Sequence, residues 1–140
     1  MAYATLADLK KLIPETAIIQ LTDDENAGTV NQARVDEAIF QADAEIDSYC
    51  GARYTVPFVT VPGIVRKMSV DIAIYNLYSR KVEEIPETRA ERYKNAIRQL
   101  EAIATGKITI GEPEAEVPET GGVGITSADR IFTRETLGNF

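Results

Sequence analysis

The sequence predicts an all-α fold, a small bundle of about four helices with extended loops and a long C-terminal arm. Three observations support this prediction. Apolar residues recur at three- and four-residue steps in several tracts, as they do along one face of an α-helix. Proline and glycine stand where those tracts begin or end. After Gly106 the periodicity stops, so we predict a bundle domain over residues 1–106 and a linker with a docking arm over residues 107–140.

The first predicted helix covers about Thr5 to Ile13. Thr5 can accept a hydrogen bond from the amide of Asp8, which caps the helix and places a carboxylate in its first turn. Pro14 is expected to end it. Its predicted apolar stripe consists of Leu6, Leu9, Leu12 and Ile13.

A polar loop is predicted from Gln20 to Thr29. Asp23, Asp24 and Glu25 in this loop raise the possibility of a calcium site. Their spacing departs from the twelve-residue EF-hand loop, which needs oxygen ligands at alternating positions, a central glycine and a closing glutamate. We therefore expect no metal here.

The second predicted helix runs from about Val30 to Cys50. Gly51 is expected to end it with a positive φ, and Pro57 should keep the chain extended after it. Arg53 and Tyr54 lie beside this junction as orienting residues, and both are candidate protein-interface residues. Arg53 in particular is a candidate for an intersubunit contact, because arginine often anchors interfaces. The predicted inner face is Val35, Ala38, Ile39, Ala42, Ile46, Tyr49 and Cys50.

Cys50 is the only cysteine, and its register with the apolar face predicts a buried thiol. The alternative is a catalytic nucleophile. The chain contains no histidine to act as its base, and no cluster of lysine or arginine is evident nearby to lower its pKa. The absence of histidine also removes the commonest general base and the commonest zinc ligand.

The third predicted helix begins near Pro62 and extends to about Lys81. Its apolar residues surround most of the helix, which predicts a central position in the bundle. Asp71 and Asn76 interrupt this pattern. Asp71 is either a buried carboxylate paired with Arg53 or Arg66, or part of an exposed edge.

The fourth predicted helix runs from about Pro86 to Thr105, and Gly106 caps it. One side of this helix is basic in an otherwise acidic chain. The basic side is either a solvated face or a patch that receives an acidic neighbour. Its cations are Arg89, Arg92, Lys94 and Arg98, and its predicted inner face is Ala90, Tyr93, Ala96, Ile97, Leu100, Ile103 and Ala104.

The C-terminal part of the chain changes character. Lys107 to Ile110 alternates polar and apolar residues as a short strand does, and Glu112 to Gly124 is rich in proline, glutamate and glycine. Apolar residues return beyond this linker, which predicts a docking motif for a partner. The alternative is that the motif packs on its own helices. The predicted contact residues are Ile131, Phe132, Arg134, Leu137 and Phe140.

Length and charge constrain the function. A chain of 140 residues fits one soluble domain, and its net charge of −7 argues against gripping nucleic acid, which relies on lysine and arginine. The charge serves solubility or, in a ring around DNA, keeps the duplex from sticking to the wall. No apolar run is long enough to span a membrane and no signal peptide is evident, so we expect a cytoplasmic protein.

The order of these features resembles the head-to-tail adaptor, or head completion, proteins of tailed bacteriophages, in particular the Mu-like branch. The opening MAYATLADLKKLIP resembles the short first helix of that family, IDSYCGARYTVPF resembles the end of its first long helix, and RIFTRETLGNF resembles its tail. The resemblance spans essentially the whole chain. It implies an adaptor that joins the DNA-filled head to the tail.

The same resemblance implies the partners. These are a ring of identical subunits, a dodecamer that matches the portal, together with the portal protein and a tail-completion or tail terminator protein. DNA would pass through the ring without sequence-specific binding. The implied location is the virion, with the host cytoplasm during assembly, and no membrane is involved.

Two other classes of function were weighed. A soluble helical module that binds a protein partner through Ile131, Phe132 and Phe140 would not depend on a portal, so its oligomeric state distinguishes it from an adaptor. An enzyme is not expected, because no spaced set of residues forms an activated nucleophile or a tuned acid. No cofactor is expected for the same reason.

Overall fold

Five helices make up the described part of the chain. The computed structural model describes residues 2–81, 84–111 and 113. The helices are α1 (Leu6–Lys10), α2 (Glu15–Thr22), α3 (Gln32–Cys50), α4 (Gly63–Lys81) and α5 (Glu87–Ala104). These residues contain no strand, so the predicted all-α class is confirmed.

Helix α4 lies at the centre of the bundle. It contacts α1, α2, α3 and α5, whereas the other extensive contacts in the described part of the chain are those of α3 with α5 and with α1. Nine of its residues are buried, including Met68, Ile72 and Leu77, each of which is 0% exposed. A helix that is apolar nearly all round is stable only when other helices cover it on several sides. The predicted central position is therefore confirmed.

Helix α1 begins as predicted but is shorter than predicted. Thr5 accepts a hydrogen bond from the amide of Asp8, and the Asp8 carboxylate bonds back to the amide of Thr5, which forms a capping box. The helix ends at Lys10 and a turn follows. Leu12 lies in this turn and is 36% exposed, so its placement on the buried stripe was wrong, whereas Leu9 and Ile13 are buried.

Helix α2 was missed in the sequence. The polar loop was predicted to begin at Gln20, but the helix continues to Thr22 and buries Ile18 and Leu21. Pro14 ends the turn after α1 and is also the N-cap of α2, with φ −66° and ψ 151°. A proline that fixes φ near −65° suits the start of a helix as well as the end of the preceding one.

The junction after α3 differs from the prediction. Gly51 has φ −61°, so the expected positive φ was wrong. Its lack of a side chain serves a close approach, because a Cβ atom there would lie 2.8 Å from the carbonyl oxygen of Asp47. The chain then turns: the amides of Arg53 and Tyr54 both donate to the carbonyl oxygen of Cys50, at 3.1 and 2.8 Å.

The two polar residues of α4 are held by partners. Asp71 is 3% exposed, and its carboxylate lies 3.1 Å from Nζ of Lys67 and 3.4 Å from a guanidinium nitrogen of Arg92. The predicted partners, Arg53 and Arg66, were wrong, as was the alternative of an exposed edge. Asn76 is half-buried and donates to the carbonyl oxygen of Ala38 at 3.2 Å.

Helix α5 ends as predicted. Gly106 has φ +83°, and its amide donates to the carbonyl oxygen of Ile103 while the amide of Lys107 donates to that of Ala102. This pair of bonds is a Schellman motif, which requires a left-handed residue after the helix. The predicted strand from Lys107 to Ile110 is wrong: Lys107 and Ile108 form a bend, the next two residues have no regular structure, and no partner strand lies within the described ranges.

Candidate interaction surfaces

The N-terminal segment is fixed to α3 by two carboxylates. The amide of Tyr3 donates to Oδ2 of Asp43 at 2.9 Å, and the Tyr3 hydroxyl donates to Oδ1 of Asp47. That hydroxyl also accepts a hydrogen bond from the amide of Phe58 at 3.0 Å, and the two rings pack with centroids 5.7 Å apart. Tyr3 thus connects the start of the chain, α3 and the loop before α4.

Burial shifts the titration of this cluster. It raises the pKa of Asp43, while hydrogen bonds from Ser69 and the amide of Tyr3 partly offset the rise. Burial also raises the pKa of the Tyr3 phenol, and the hydrogen bond to Asp47 adds to this effect. Every polar group named here has a hydrogen-bond partner within the protein, so the arrangement holds the N-terminal segment in place.

Arg53 and Tyr54 join the junction after α3 to the end of α5. Tyr54 is 2% exposed, and its hydroxyl lies 3.2 Å from Oγ1 of Thr109. Arg53 is half-buried; its guanidinium donates to the carbonyl oxygen of Ile103 at 3.4 Å and lies 5.9 Å from the centroid of the Tyr54 ring. These contacts agree with the orienting role expected at the junction. A role in an intersubunit contact stays a prediction.

The five C-terminal residues predicted to bind a partner lie outside the described residues. Their role as a docking motif stays a prediction, as does the boundary between the bundle domain and the arm. These residues are Ile131, Phe132, Arg134, Leu137 and Phe140.

A shallow groove of about 970 Å³ runs along the outer face of α3. Phe40 stands in this groove and is 67% exposed. Small residues from the N-terminal segment and α3 surround its ring, and carboxylates lie among them. We call this surface the Phe40 groove; its lining is Ala2, Ala4, Ala33, Asp36, Glu37, Ile39, Phe40, Asp43, Ala44, Asp47 and Pro57.

Three carboxylates of the Phe40 groove, those of Asp36, Glu37 and Asp47, have no ion-pair partner among the described residues. Asp36 accepts a hydrogen bond from Gln32 at 2.7 Å and Glu37 accepts one from Gln41 at 3.1 Å. Neither these two nor Asp47 forms an ion pair with another residue in the described ranges. The groove therefore combines exposed apolar area with uncompensated negative charge.

A second depression, of about 340 Å³, lies between α3 and α5. Tyr93 forms its wall; its ring stacks on Tyr75 with centroids 4.0 Å apart, and its hydroxyl donates to Glu45 at 3.0 Å. Burial, followed by that hydrogen bond, raises the pKa of Tyr93 to about 12. We call it the Tyr93 hollow; its lining is Glu45, Tyr49, Tyr93, Lys94, Ile97, Arg98 and Glu101.

The acidic loop before α3 is bound by arginines. Asp24 lies 2.7 Å from Arg80 and 3.5 Å from Arg34, and Glu25 lies 2.7 Å from Arg34. The Asp23 carboxylate accepts hydrogen bonds from two loop amides. No group of His, Cys, Asp or Glu within residues 2–81, 84–111 and 113 is arranged to hold a metal ion.

The thiol of Cys50 is enclosed by the core. Cys50 is 0% exposed, as predicted, and burial raises the pKa of its thiol to about 11. A thiol with a raised pKa is a poor nucleophile at neutral pH.

Phe40 was missed as a surface residue because the sequence analysis followed only the buried face of its helix. An available signal was its position: Phe40 falls outside the apolar register that Ile39 and Ala42 define. Aromatic residues are enriched at the centres of protein interfaces. Among the described helices, none is long and apolar enough to cross a membrane.

Comparison with known proteins matches nearly the whole chain to one family. The family model described as "Bacteriophage Mu, Gp36" matches residues 3–127. The Mu-like prophage FluMu protein gp36 of Haemophilus influenzae is 31% identical over 140 residues, which is 99% of this chain and 97% of that protein. Gene product J of Escherichia phage Mu is 29% identical over 143 residues, which is 99% of each.

Proposed function

The chain belongs to the bacteriophage Mu Gp36 family, and from that premise we propose that it is a head-tail connector adaptor, a structural protein of the virion. In this role it forms a ring beneath the portal and joins the DNA-filled head to the tail. The observation that carries the proposal is the match of residues 3–127 to a Mu phage family, in a chain whose helix and junction order resembles head-to-tail adaptors.

The geometry supports a role in assembly. The bundle is small, and two surface depressions lie on different sides of it, at the Phe40 groove and the Tyr93 hollow. A subunit of a ring needs two such surfaces, because it presents one patch to the neighbour on its left and a different patch to the neighbour on its right. A protein that binds a single partner needs only one.

We propose the following partners on the same grounds. The ring is a dodecamer that matches the portal, and it engages the portal protein on one face and a tail-completion or tail terminator protein on the other. DNA passes through the ring without sequence-specific contacts. The net charge of −7 favours this passage, because an acidic wall repels the phosphate backbone. The subunit is made in the host cytoplasm and ends in the virion.

The proposal assigns no catalytic reaction to the chain. The buried Cys50 thiol has a raised pKa, and the carboxylates of Asp43 and Asp71 are committed to hydrogen bonds and ion pairs in the core. Groups held in this way stabilise a fold, whereas a catalytic acid or base needs access to a substrate.

Electron microscopy of the chain mixed with its purified portal tests the proposal. The expected image is an additional ring of density on the tail-proximal face of the portal. A phage that lacks the gene should accumulate DNA-filled heads and separate tails. Portals without added density, together with normal virions in the absence of the gene, would contradict the adaptor role. Light scattering that shows the same small species with and without portal would favour a binding module instead.

A further inference from the structure

The Phe40 groove and the Tyr93 hollow lie on opposite sides of α3. Glu45 and Tyr49, which line the hollow, follow Phe40 by five and nine residues. An α-helix turns about 100° per residue, so these residues point about 140° and about 180° away from Phe40. The groove and the hollow therefore face in roughly opposite directions about α3.

The hollow carries two cations that can face the carboxylates of the groove; its lining also holds Glu101 and Glu45, and the Glu45 carboxylate accepts the Tyr93 hydroxyl. Asp36 and Glu37 are exposed beside Phe40 and form no ion pair within the described part of the chain. Lys94 and Arg98 are exposed at the hollow, one helical turn apart, and form no ion pair with any described residue. Opposite potentials of this kind steer two surfaces together and fix their register.

The two surfaces also pair a projecting aromatic ring with a depression. Phe40 projects from the groove as an exposed ring, and the hollow of about 340 Å³ offers aromatic and aliphatic walls at Tyr49, Tyr93 and Ile97. A buried aromatic residue in a pocket is a common anchor of protein interfaces. Lys94 and Arg98 at the rim can also lie over the face of an inserted phenyl ring, where cations are attracted to its electrons.

We propose that Phe40 of one copy inserts into the Tyr93 hollow of the next copy, with Asp36 and Glu37 facing Lys94 and Arg98. This contact rests on the proposed function, since it supplies the subunit interface of the ring. Because the two surfaces do not overlap, every copy can use both at once. Such a heterologous contact closes into a ring when the rotation between neighbours permits.

The second copy is the occupant that the charges favour. At a net charge of −7, two copies repel each other at long range, but salt screens this repulsion beyond about 8–10 Å. The local pairs at the contact lie well within that distance. The copy therefore brings its cations to the groove while the rest of its acidic surface stays screened.

Two variants that each lose one surface test the contact. Phe40→Asp removes the aromatic anchor, and Lys94→Glu combined with Arg98→Glu replaces the two cations of the hollow with carboxylates. Each variant alone should self-associate more weakly, with a dissociation constant at least about tenfold higher than that of the wild type. Mixed in equal amounts, they should form a complex of two chains that grows no further, because the intact hollow of the first binds the intact Phe40 of the second. Sedimentation velocity measures these species, for the free chain and for the chain added to purified portal.

Matched controls keep the test specific. Val59→Asp is the control for Phe40→Asp, because it places the same charge at another apolar residue, which is 88% exposed. Arg66→Glu combined with Lys107→Glu is the control for the charge reversal, because both residues are exposed outside the hollow. Each control should assemble as the wild type does. Circular dichroism confirms that every variant is folded. The contact is overturned if the Phe40 variant assembles normally, if the mixture forms no complex, or if the wild type stays monomeric up to about 1 mM and also on portal.

The outcomes separate this contact from the adaptor role. If self-association follows the expected pattern but the chain does not bind the portal, the result supports the proposed contact and contradicts the adaptor role. Portal binding and joined virions with the variants unaffected would retain the adaptor role and remove the contact. Loss of portal binding by Phe40→Asp with normal self-association would show that the groove receives the portal, which also overturns the contact.

Discussion

Ser69 and Asp43 join the two central helices through a hydrogen bond of 2.6 Å between the Ser69 hydroxyl and Oδ1 of the carboxylate. Ser69 is 0% exposed and Asp43 is 8% exposed, so the bond lies inside the apolar core. Because the other carboxylate oxygen of Asp43 accepts the amide of Tyr3, one side chain holds α4, α3 and the N-terminal segment together.

Removing the hydroxyl of Tyr3 should weaken the fold. In Tyr3→Phe the amide of Phe58 loses its hydrogen-bond acceptor, and a buried donor without a partner costs about 1–3 kcal/mol. Urea unfolding measures the change. Tyr78→Phe is the matched control, since the half-buried Tyr78 hydroxyl makes no hydrogen bond within the described residues. Equal stability of the two variants would contradict the role of the Tyr3 hydroxyl.

The carboxylate of Asp71 should depend on its two cations. Lys67→Met combined with Arg92→Met leaves a buried, uncompensated charge, which should cost roughly 3–5 kcal/mol of unfolding free energy. Adding Asp71→Leu to this double variant should recover most of the loss, because the unpaired charge is then gone. Guanidinium unfolding compares the three proteins. A triple variant that is no more stable than the double one would show that the pairing is unimportant.

The centre of the bundle should respond to truncation of a leucine more strongly than its edge. Leu77 is 0% exposed, so Leu77→Ala should cost about 2–5 kcal/mol. Leu12→Ala makes the same chemical change at a residue that is 36% exposed and should cost less than about 1 kcal/mol. Thermal unfolding followed by circular dichroism gives both values. Similar losses at the two positions would be inconsistent with a central α4.

The loop before α3 should lose its ion pairs in acid. The hydrogen bond from Arg80 is the largest cause that lowers the pKa of Asp24 from 3.8 to about 2. A carboxyl with a lowered pKa in the folded state contributes stability above 3.8, and this contribution disappears as the pH falls from 3.8 towards 2. The wild type should therefore melt above Asp24→Asn at neutral pH, with a difference that shrinks over this range. About 1 M salt should also narrow the difference, because it screens surface ion pairs.

The core should survive loss of the C-terminal segment. Deleting residues 127–140 removes none of the buried residues of the described part of the chain, which end at Ile103. The truncated protein should keep its helical circular dichroism and a cooperative melt, while pull-down by portal is lost if the segment docks there. Collapse of the helical signal would instead show that the segment packs on its own bundle.

The sequence predicts the long helices well and their ends less well. The apolar pattern of α4 determines both its limits and its central place, because few arrangements can bury a helix on all sides. Helix α2 was missed since its eight residues are few for a periodic signal and Asp23 and Asp24 follow at once. The conformation of Gly51 could not be predicted from the sequence. Glycine is suited both to a positive φ and to a close approach of neighbouring atoms, and only the positions of those atoms decide which applies.

The sequence predicts which types of residue pair between helices, but it does not identify the particular residues. A buried Asp71 needs a cationic partner, and the sequence contains several candidates. Arg92 is a partner because α5 crosses α4 at this point, and Lys67 is a partner because it lies one turn before Asp71 on the same helix. The same holds for the surfaces. That α5 carries cations is visible in the sequence, whereas the hollow exists because Tyr93 stacks on Tyr75 and meets Glu45.

The position of Tyr3 also bears on the order in which the chain folds as it leaves the ribosome. Its partners Asp43, Asp47 and Phe58 follow it by 40, 44 and 55 residues, so none exists when Tyr3 emerges. The carboxylate of Asp43 becomes fully engaged only when Ser69, which follows Asp43 by 26 residues, has been synthesised. The segment around Tyr3 therefore docks only after α3 and the loop that follows it have been synthesised, although amino-terminal units commonly fold first during synthesis.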